Sequence, residues 1–402
     1  MRVAAALLAI ALASAPPLAA AEDPFELSVD LRLVGVDAPT SYLYGGLGKL
    51  RFDDKHDGVQ VGRLRAAWSQ PLGETFNVHV DASVWRFGDD NAFDLTEAYL
   101  EYRPYPAQGW RSRLKLGAFY APISLEHRES GWTNAYLLSA SAINTWVGEE
   151  LRTIGAEYSL GWLGTRTGHA FDAEFVAGVY GYNDPAGILI ASRGWAMHDR
   201  QTTLFGEVGE AGNGPVPGRT LFKEIDDRPG YYAGAELRYL DRAVLRVLHY
   251  DNRADPEIYD AGIDDFAWLT TFDSIGFRVE TAAGWTFISQ WLGGDTAAEP
   301  ETGYEKWDYD STFVLVSKAA GPHRLSLRRD WFDSEHVMTS WPPAGMESGD
   351  AWTAGYSFDY GDHWRFAVEA LRIESNVSMR AGLGEPPRAT EDQLQLQVRY
   401  SL

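Results

Sequence analysis

Three basic residues, Arg111, Arg113 and Lys115, occupy alternate positions of one segment. Alternate residues of an extended strand share a face, so these cations would lie about 7 Å apart on one side. Leu114 and Leu116 would occupy the other side. If the basic face lines an aqueous pore, its field steers anions or zwitterions. If acids on neighbouring strands oppose it, the face is a charge-balanced wall, and the sequence leaves both interpretations open.

The same alternation places further charged residues on the polar faces of other segments. Segment 92–103 is expected to pair with segment 110–119 about the turn at 104–109. A register that keeps both polar faces inward lets Glu101 face Arg113. The predicted pore-lining residues are Arg63, Arg65, Asp81, Glu97, Glu101, Arg111, Arg113, Lys115, Arg238, Arg278, Arg324 and Arg328.

Catalytic chemistry would require a different arrangement of residues. A nucleophilic site needs Ser or Thr, a His and an orienting acid within reach, but none of the nine His residues lies in a G-x-S-x-G or H-E-x-x-H pattern. The most suggestive is His79, which shares a strand face with Asn77 and Asp81. Cys is absent, which excludes disulfides and thiolate metal sites. We therefore expect no enzymatic activity, no cofactor and no metal site.

The elements that must position these charges are strands with one apolar and one polar face. In the last segment Leu394, Leu396 and Val398 alternate with Gln395 and Gln397, which is typical of a half-buried strand. Sixteen such segments are predicted, at 25–34, 58–68, 74–86, 92–103, 110–119, 149–160, 170–181, 231–240, 242–252, 272–282, 284–293, 308–318, 322–332, 350–360, 363–374 and 391–402.

The gaps between these segments alternate between short and long. Short turns on one side and long loops on the other are typical of outer-membrane barrels, which have an even strand number and keep both termini in the periplasm. The fold class predicted is all-β, a transmembrane antiparallel barrel of about sixteen strands with short periplasmic turns and long extracellular loops. A soluble sandwich or propeller is disfavoured, since a propeller would show a blade repeat and none is found.

The N-terminus has the pattern of a secretion signal. Arg2 precedes an apolar run at 3–13, and Ala19 to Ala21 fit a small-residue cleavage site. We predict a signal peptide at 1–21, cleavage near Ala21, and a barrel over 22–402 in the cell outer membrane. The mean hydropathy of −0.28 agrees with this, because only alternate residues of a barrel strand contact lipid.

Two long loops contain apolar runs, which are unlikely to stay in water. They are 120–148, with AYLLSASAINTWV, and 182–230, with GILIASRGWAM. Each loop could fold into the barrel and narrow it, pack against a neighbouring protomer, or cap the rim. If the first loop folds inward, Glu126 and Glu129 are the candidate constriction residues facing the basic residues of strand 5.

The net charge of −22 excludes nucleic acid as a partner, because binding phosphates requires basic surface. The expected partners are outer-membrane lipid and lipopolysaccharide, small hydrophilic solutes, and further copies of the chain in a homotrimer. The acidic excess falls mainly in the predicted loops and is interpreted as solvated surface.

Two adjacent segments carry a family resemblance. FDLTEAYLEYR at 93–103 and LKLGAFYAPISLE at 114–126 resemble the Gram-negative porins of the phosphate-selective O/P-like superfamily. The matching residues are Glu97, Ala98, Tyr99, Leu114, Gly117, Phe119 and Pro122. The specific match covers about thirty residues, and it implies a water-filled channel in the outer membrane.

Three functional hypotheses follow. The first is a porin for passive diffusion of small hydrophilic solutes, with an anion preference. The second is a substrate-directed channel for a sugar or organic anion, with Trp85 and Tyr99 as stacking surfaces. The third is a closed barrel whose long loops serve adhesion or lipid hydrolysis.

Overall fold

A computed structural model describes residues 24–85, 93–208, 219–262, 265–299, 303–338 and 346–402. Sixteen strands, each hydrogen-bonded to its neighbours in sequence order, form one closed barrel. They are β1 Phe25–Asp37, β2 Gly58–Leu72, β3 Phe76–Val84, β4 Asp94–Tyr102, β5 Trp110–Phe119, β6 Thr153–Trp162, β7 Phe171–Gly181, β8 Gly230–Tyr239, β9 Ala243–Asp251, β10 Leu269–Glu280, β11 Trp285–Ala298, β12 Glu305–Ala320, β13 His323–Met338, β14 Met346–Tyr360, β15 Trp364–Val377 and β16 Arg388–Ser401.

The fold class and the strand number are confirmed. The barrel closes where β1 pairs antiparallel with β16, from Ser28 opposite Ser401 to Asp37 opposite Asp392. Closure leaves no unpaired strand edge in the wall, as a wall surrounded by lipid requires.

Several strands continue beyond their predicted ends at the end of the barrel that carries the long loops. β13 was expected to end at 332 but runs to 338. Its outward residues there include Asp333 and Glu335, which are exposed. The hydrogen bonds between strands therefore continue beyond the residues that alternate between apolar and polar. The prediction ended at 332 because it relied on that alternation.

The outer wall is apolar, with aromatic rings near the short connections. Leu325 and Leu394 are 62 % and 50 % exposed. Exposed aromatic rings near the short connections include Tyr102, Trp110, Tyr239, Trp285, Tyr360 and Trp364. Amphipathic rings of this kind suit a membrane–water interface.

Connections at one end of the barrel are short, such as 240–242 and 361–363, whereas the three longest, 38–57, 120–152 and 182–229, leave the other end. The structure places described parts of all three inside the barrel. Residues 209–218 of the third, and the predicted signal peptide at 1–21, lie outside the described ranges.

The loop 120–152 contains a short hairpin and a helix. The hairpin pairs His127–Glu129 with Thr133–Asn134, and residues 127–134 are called the inner hairpin below. Helix α1 spans Ala142–Glu150, is N-capped by the Ser141 hydroxyl, and is buried along its whole length. It occupies the start of the predicted strand at 149–160, so β6 begins only at Thr153.

The loop half of the barrel interior is an apolar core. Trp146 of α1 is 1 % exposed, and its ring packs edge-on against Phe272 and Tyr309, which point inward from β10 and β12. Helix α2, Ile188–Arg193, belongs to the same core. The two helices therefore fill this half of the barrel with close-packed protein.

Buried polar contacts tie the loop segments together. Tyr42 of the first loop donates to Glu149 of α1 at 3.0 Å, and Glu149 also pairs with Arg193 and Arg200. Burial opposes ionisation of Glu149, but these guanidinium groups outweigh it and hold its pKa well below the usual value. No helix in the described ranges is long and apolar enough to cross a bilayer.

Candidate functional site

A cavity of about 790 Å³ lies inside the barrel against β4 to β10, and it is called the vestibule below. Many of its wall residues, such as Arg111 and Arg238, come from strand ends next to short connections. Its lining carries seven cations and six carboxylates: Arg111, Arg113, Lys115, Arg128, Arg238, Arg246, Arg278, Glu97, Glu129, Glu157, Glu174, Glu236 and Asp241. Its charge is therefore nearly balanced.

Arg113 is the centre of that balance. Its guanidinium lies 3.9 Å from Glu101, 3.6 Å from Glu157 and 3.5 Å from Glu174. Among the described carboxylates, Arg111 reaches only Glu174, at 4.0 Å. Acids of β4, β6 and β7 thus neutralise the middle of the predicted basic face.

Lys115 forms no close ion pair with the described residues, although Glu101 and Glu157 are its cross-strand neighbours on β4 and β6. No described carboxylate lies within 4.0 Å of it, and its ammonium lies 4.9 Å from the centre of the Tyr99 ring and 5.2 Å from that of Phe119. A cation over aromatic faces is stabilised by the ring quadrupole without losing its charge. Lys115 and Arg111 are therefore the cations of β5 most available to a passing anion.

The pairing of β4 with β5 differs from the prediction by two residues. Glu101 lies opposite Lys115, and Arg113 reaches it diagonally. The tight turn is formed by Gln108 and Gly109, both with positive φ, and not by the middle of the connection. A two-residue turn of this kind fixes the register of the hairpin.

The remaining predicted cations of the vestibule are paired. Arg238 bonds Glu236 of its own strand, and Arg278 lies 3.2 Å from Glu280. Glu236 also binds Arg246, a vestibule residue that the sequence interpretation missed. Arg246 also donates to the carbonyl of Ser124 at 2.9 Å and so anchors the loop.

Three predicted pore-lining residues of β2 and β3 are buried beneath loop residues. Asp81 is 0 % exposed and binds Arg65 and Arg63. Arg65 donates to Ser130 at 2.7 Å, and Arg63 donates to the carbonyl of Gly131 at 2.9 Å. In this structure the inner hairpin covers them, and none of the three lines the vestibule.

Arg328 of β13 faces inward but is also fully buried. It binds Asp330 at 2.7 Å and Glu126 at 3.3 Å, and it donates to the Ser139 carbonyl at 2.8 Å. It therefore holds the loop and does not line open water. Arg324, on the same strand, donates to the Ser317 hydroxyl and lies over the Tyr136 ring.

Glu126 points to β13, not to the basic face of β5 as expected. Its carboxylate accepts from the Ser141 amide and hydroxyl, both at 2.7 Å. Burial raises the pKa of this carboxyl, but the Arg328 guanidinium and the bonds from Ser141 outweigh burial and lower it overall. Glu126 is thus an ionised anchor at the base of α1.

Glu129, the other predicted constriction residue, lines the vestibule but pairs with the opposite wall. It lies 2.7 Å from Arg365 of β15 and 3.1 Å from Arg399 of β16. The sequence interpretation missed both arginines as partners. Alternation with Trp364, Phe366 and Tyr400 already places them on the inward face.

A stack of aromatic rings separates the vestibule from a second cavity. The Trp132 ring lies between Tyr120, with centres 4.3 Å apart, and His127, with centres 3.7 Å apart. Beyond it lies a slot of about 70 Å³ between the loop and β1, β14, β15 and β16. His127 and Trp132 line both cavities.

His79 lies on the vestibule wall. Its Nδ1 is 2.7 Å from the Ser69 hydroxyl, and its ring tilts against Tyr99. Among the residues with known positions, no carboxylate is hydrogen-bonded to it. Glu97 lines the same cavity and accepts from the Tyr120 amide at 3.2 Å.

The structure is a closed antiparallel barrel with inserted loops and a charged interior. No family model and no curated protein sequence matches the chain. Many solved structures share the fold, and three outer-membrane proteins among them serve as examples. The outer-membrane channel DcaP of Acinetobacter baumannii has a TM-score of 0.56 at 10% identity, over 94% of this chain and 96% of that one.

The second is a loop-deletion mutant of OmpT, an outer-membrane protein of Vibrio cholerae, with a TM-score of 0.52 at 10% identity over 94% and 98% of the two chains. The third is an anion-selective porin from Comamonas acidovorans, with a TM-score of 0.50 at 11% identity over 94% and 98%. At this identity the likeness shows the shared fold alone.

Proposed function

We propose that the protein is an outer-membrane porin that conducts small hydrophilic solutes by passive diffusion, with a modest preference for anions. The observation that carries this proposal is a lipid-compatible closed barrel around a charged vestibule of about 790 Å³. The anion preference rests on Lys115 and Arg111, the β5 cations least neutralised by carboxylates. The shared fold of a Comamonas anion-selective porin agrees with it.

Conductance of the folded protein in planar bilayers tests the proposal. Changing Arg111, Arg113 and Lys115 together to Glu is expected to move the reversal potential towards cations, because the field of the vestibule changes sign. Arg372→Glu on the exposed outer surface is the matched control and is expected to have little effect. An unchanged reversal potential in the triple variant would exclude a role for this face in selectivity.

A closed barrel is the second candidate, and one observation favours it. The loop half of the interior is packed with α1 and α2, and the slot beyond the vestibule holds only about 70 Å³. Folded protein that never conducts under any voltage would favour the closed barrel. Block of the current by a sugar or organic anion would instead favour a substrate-directed channel. Of the two stacking residues expected for such a channel, Tyr99 faces the vestibule and Trp85 lies buried under Arg63.

The cellular setting belongs to the same proposal. We place the mature chain in the outer membrane after removal of residues 1–21, with the short connections in the periplasm and lipid and lipopolysaccharide around the wall. One solved relative in fold is described as a trimer form, and we propose a homotrimer here as well. Mass measurement of the mature chain and of its complex in mild detergent tests both statements.

A further inference from the structure

Two arginines face each other directly on the inner wall. Arg365 of β15 and Arg399 of β16 are cross-strand partners. Like charges in this position repel, so the pair needs an anion nearby. Asp359 of β14 forms an ion pair with Arg365. The cross-strand neighbour of Arg399 on β1 is Asp30. Asp30 is bound instead to Arg32 and Gln397.

The anion that fills this position is the Glu129 side chain. Its two oxygens lie 2.7 and 2.9 Å from one nitrogen of Arg365, and one of them lies 3.1 Å from Arg399. Among the described residues, Glu129 is the only carboxylate within 4.0 Å of Arg399. Two guanidinium groups converging on one carboxylate form a strong anion-binding arrangement.

This carboxylate is held where the two cavities meet. Glu129 lines the vestibule, whereas Arg365 and Arg399 line the slot. The three side chains are 21 to 28 % exposed, while those of the pair Arg328 and Glu126 on the same loop are 0 % exposed. Water and small ions can therefore exchange at the Glu129 contact but not at the Arg328 contact.

Among the described residues, the inner hairpin forms hydrogen bonds and ion pairs with β15 and β16 only through Glu129. Its other contacts hold it to β2 and to the loops: Arg63 donates to the Gly131 carbonyl, and the Trp132 ring stacks on Tyr120. Trp132 has a positive φ of 49°, a strained conformation for a bulky residue. Loss of the Glu129 contact therefore leaves the hairpin without a polar contact to β15 and β16.

Building on the proposed porin function, we propose that Arg365 and Arg399 form a binding site for the carboxylate of a permeating solute. Glu129 occupies this site in the structure as an internal substitute. A solute carboxylate that displaces it releases the inner hairpin from β15 and β16 and joins the vestibule to the slot. The slot has a volume of only about 70 Å³ in this structure, so we expect a solute to enter it only after this movement.

Acetate binding to the folded protein, measured by calorimetry in a chloride-free buffer of low ionic strength, tests the site. Glu129→Gln is expected to bind acetate at least tenfold more tightly than the native chain, because the internal competitor is lost. Arg399→Gln is expected to lose this binding. Asp392→Asn, which removes a partner of Arg372 on the exposed outer surface, is the matched control and should leave the acetate affinity at the native level.

Single-channel conductance of the same variants separates the site from the channel. Glu129→Gln is expected to raise the open fraction, and the control Asp392→Asn is not. If Glu129→Gln binds acetate more tightly but neither the native chain nor any variant conducts, the porin function is overturned and the carboxylate site is retained. Equal acetate affinity in Glu129→Gln and the native chain, with both folded by circular dichroism, would overturn the site. If Arg399→Gln fails to fold, Arg365→Gln replaces it and is also expected to lose acetate binding.

Discussion

Arg113 lies within 4.0 Å of three carboxylates, whereas Lys115, two residues further along the same strand, forms no ion pair that close with a described residue and lies beside the rings of Tyr99 and Phe119. The sequence placed both on one inward face but could not distinguish them. Glu101 and Glu157 are the cross-strand neighbours of Lys115, yet they form their ion pairs with Arg113. Alternation therefore predicts which way a charge points, while its ion-pair partner depends on how far each side chain reaches.

The lack of a close ion pair at Lys115 leads to a prediction. Lys115→Gln should lower the anion-to-cation permeability ratio about twofold with little change in the thermal stability of the barrel, because no ion pair within 4.0 Å among the described residues is lost. Reversal potentials in a salt gradient measure the ratio. Lys318→Gln is the control, since Lys318 lies over the outward Trp285 ring. An equal shift in both variants would contradict the assignment.

A pH dependence follows from Glu150, which is buried in α1 and accepts from Trp146 and the Leu189 amide. Burial raises its pKa to about 7 against these opposing bonds. The folded state therefore retains a proton that the unfolded chain loses above its ordinary pKa of 4.5. Stability contributed by this group is greatest below pH 4.5 and falls as the pH rises to about 7.

We expect packing of the loop segments to weaken by an amount on the order of 1–2 kcal/mol between pH 5 and pH 7. Trp fluorescence during denaturant titration measures this change. Glu150→Gln should reduce the slope. Asp184, whose pKa burial also raises to about 7, contributes in the same window, so Asp184→Asn is the companion variant. A free energy of unfolding that rises between pH 5 and pH 7 would contradict this prediction.

At the scale of elements, the strands were predictable and the loop structure was not. Alternation is imposed on every strand by lipid on one side and the interior on the other. Helix α1 escaped prediction because all nine of its residues are buried, which removes the amphipathic period that indicates a helix. The apolar run at 135–147 correctly indicated burial, but its sequence does not define its shape.

Trp146 should be the residue on which the inserted loop most depends. Trp146→Ala removes a fully buried ring, which typically costs about 3–5 kcal/mol, and should make the segment 120–152 sensitive to protease while the barrel stays folded. Limited proteolysis with mass spectrometry measures this. Trp352→Ala, at an exposed outward ring, is the control. Equal protection of the loop in both variants would contradict a central role for Trp146.

At the scale of the whole molecule, the protein is a barrel with two unlike halves. The half near the short connections holds a charged, hydrated vestibule, and the other half has an apolar core like that of a soluble domain. The strand pattern predicted the wall, but the division of the interior depends on contacts between residues distant in sequence, such as Glu126 and Arg328.

The filled half should limit conductance. Replacing residues 135–147 with a Gly–Ser linker of equal length removes most of α1 but retains Glu126, Glu129 and the wall. We expect a several-fold larger conductance and faster liposome swelling with sugars. A barrel that stays folded yet conducts no better would show that another segment limits passage.

The inserted loop also affects the order of assembly. Its acidic residues bind arginines that come much later in the sequence. Arg399, which binds Glu129, follows it by 270 residues, and Arg328, which binds Glu126, follows it by 202 residues. A nascent chain holding only its first half therefore carries acids and apolar rings without their partners. The interior can reach its final form only when the last strands arrive, so seating of the loop and closure of β1 against β16 should be one concerted late event.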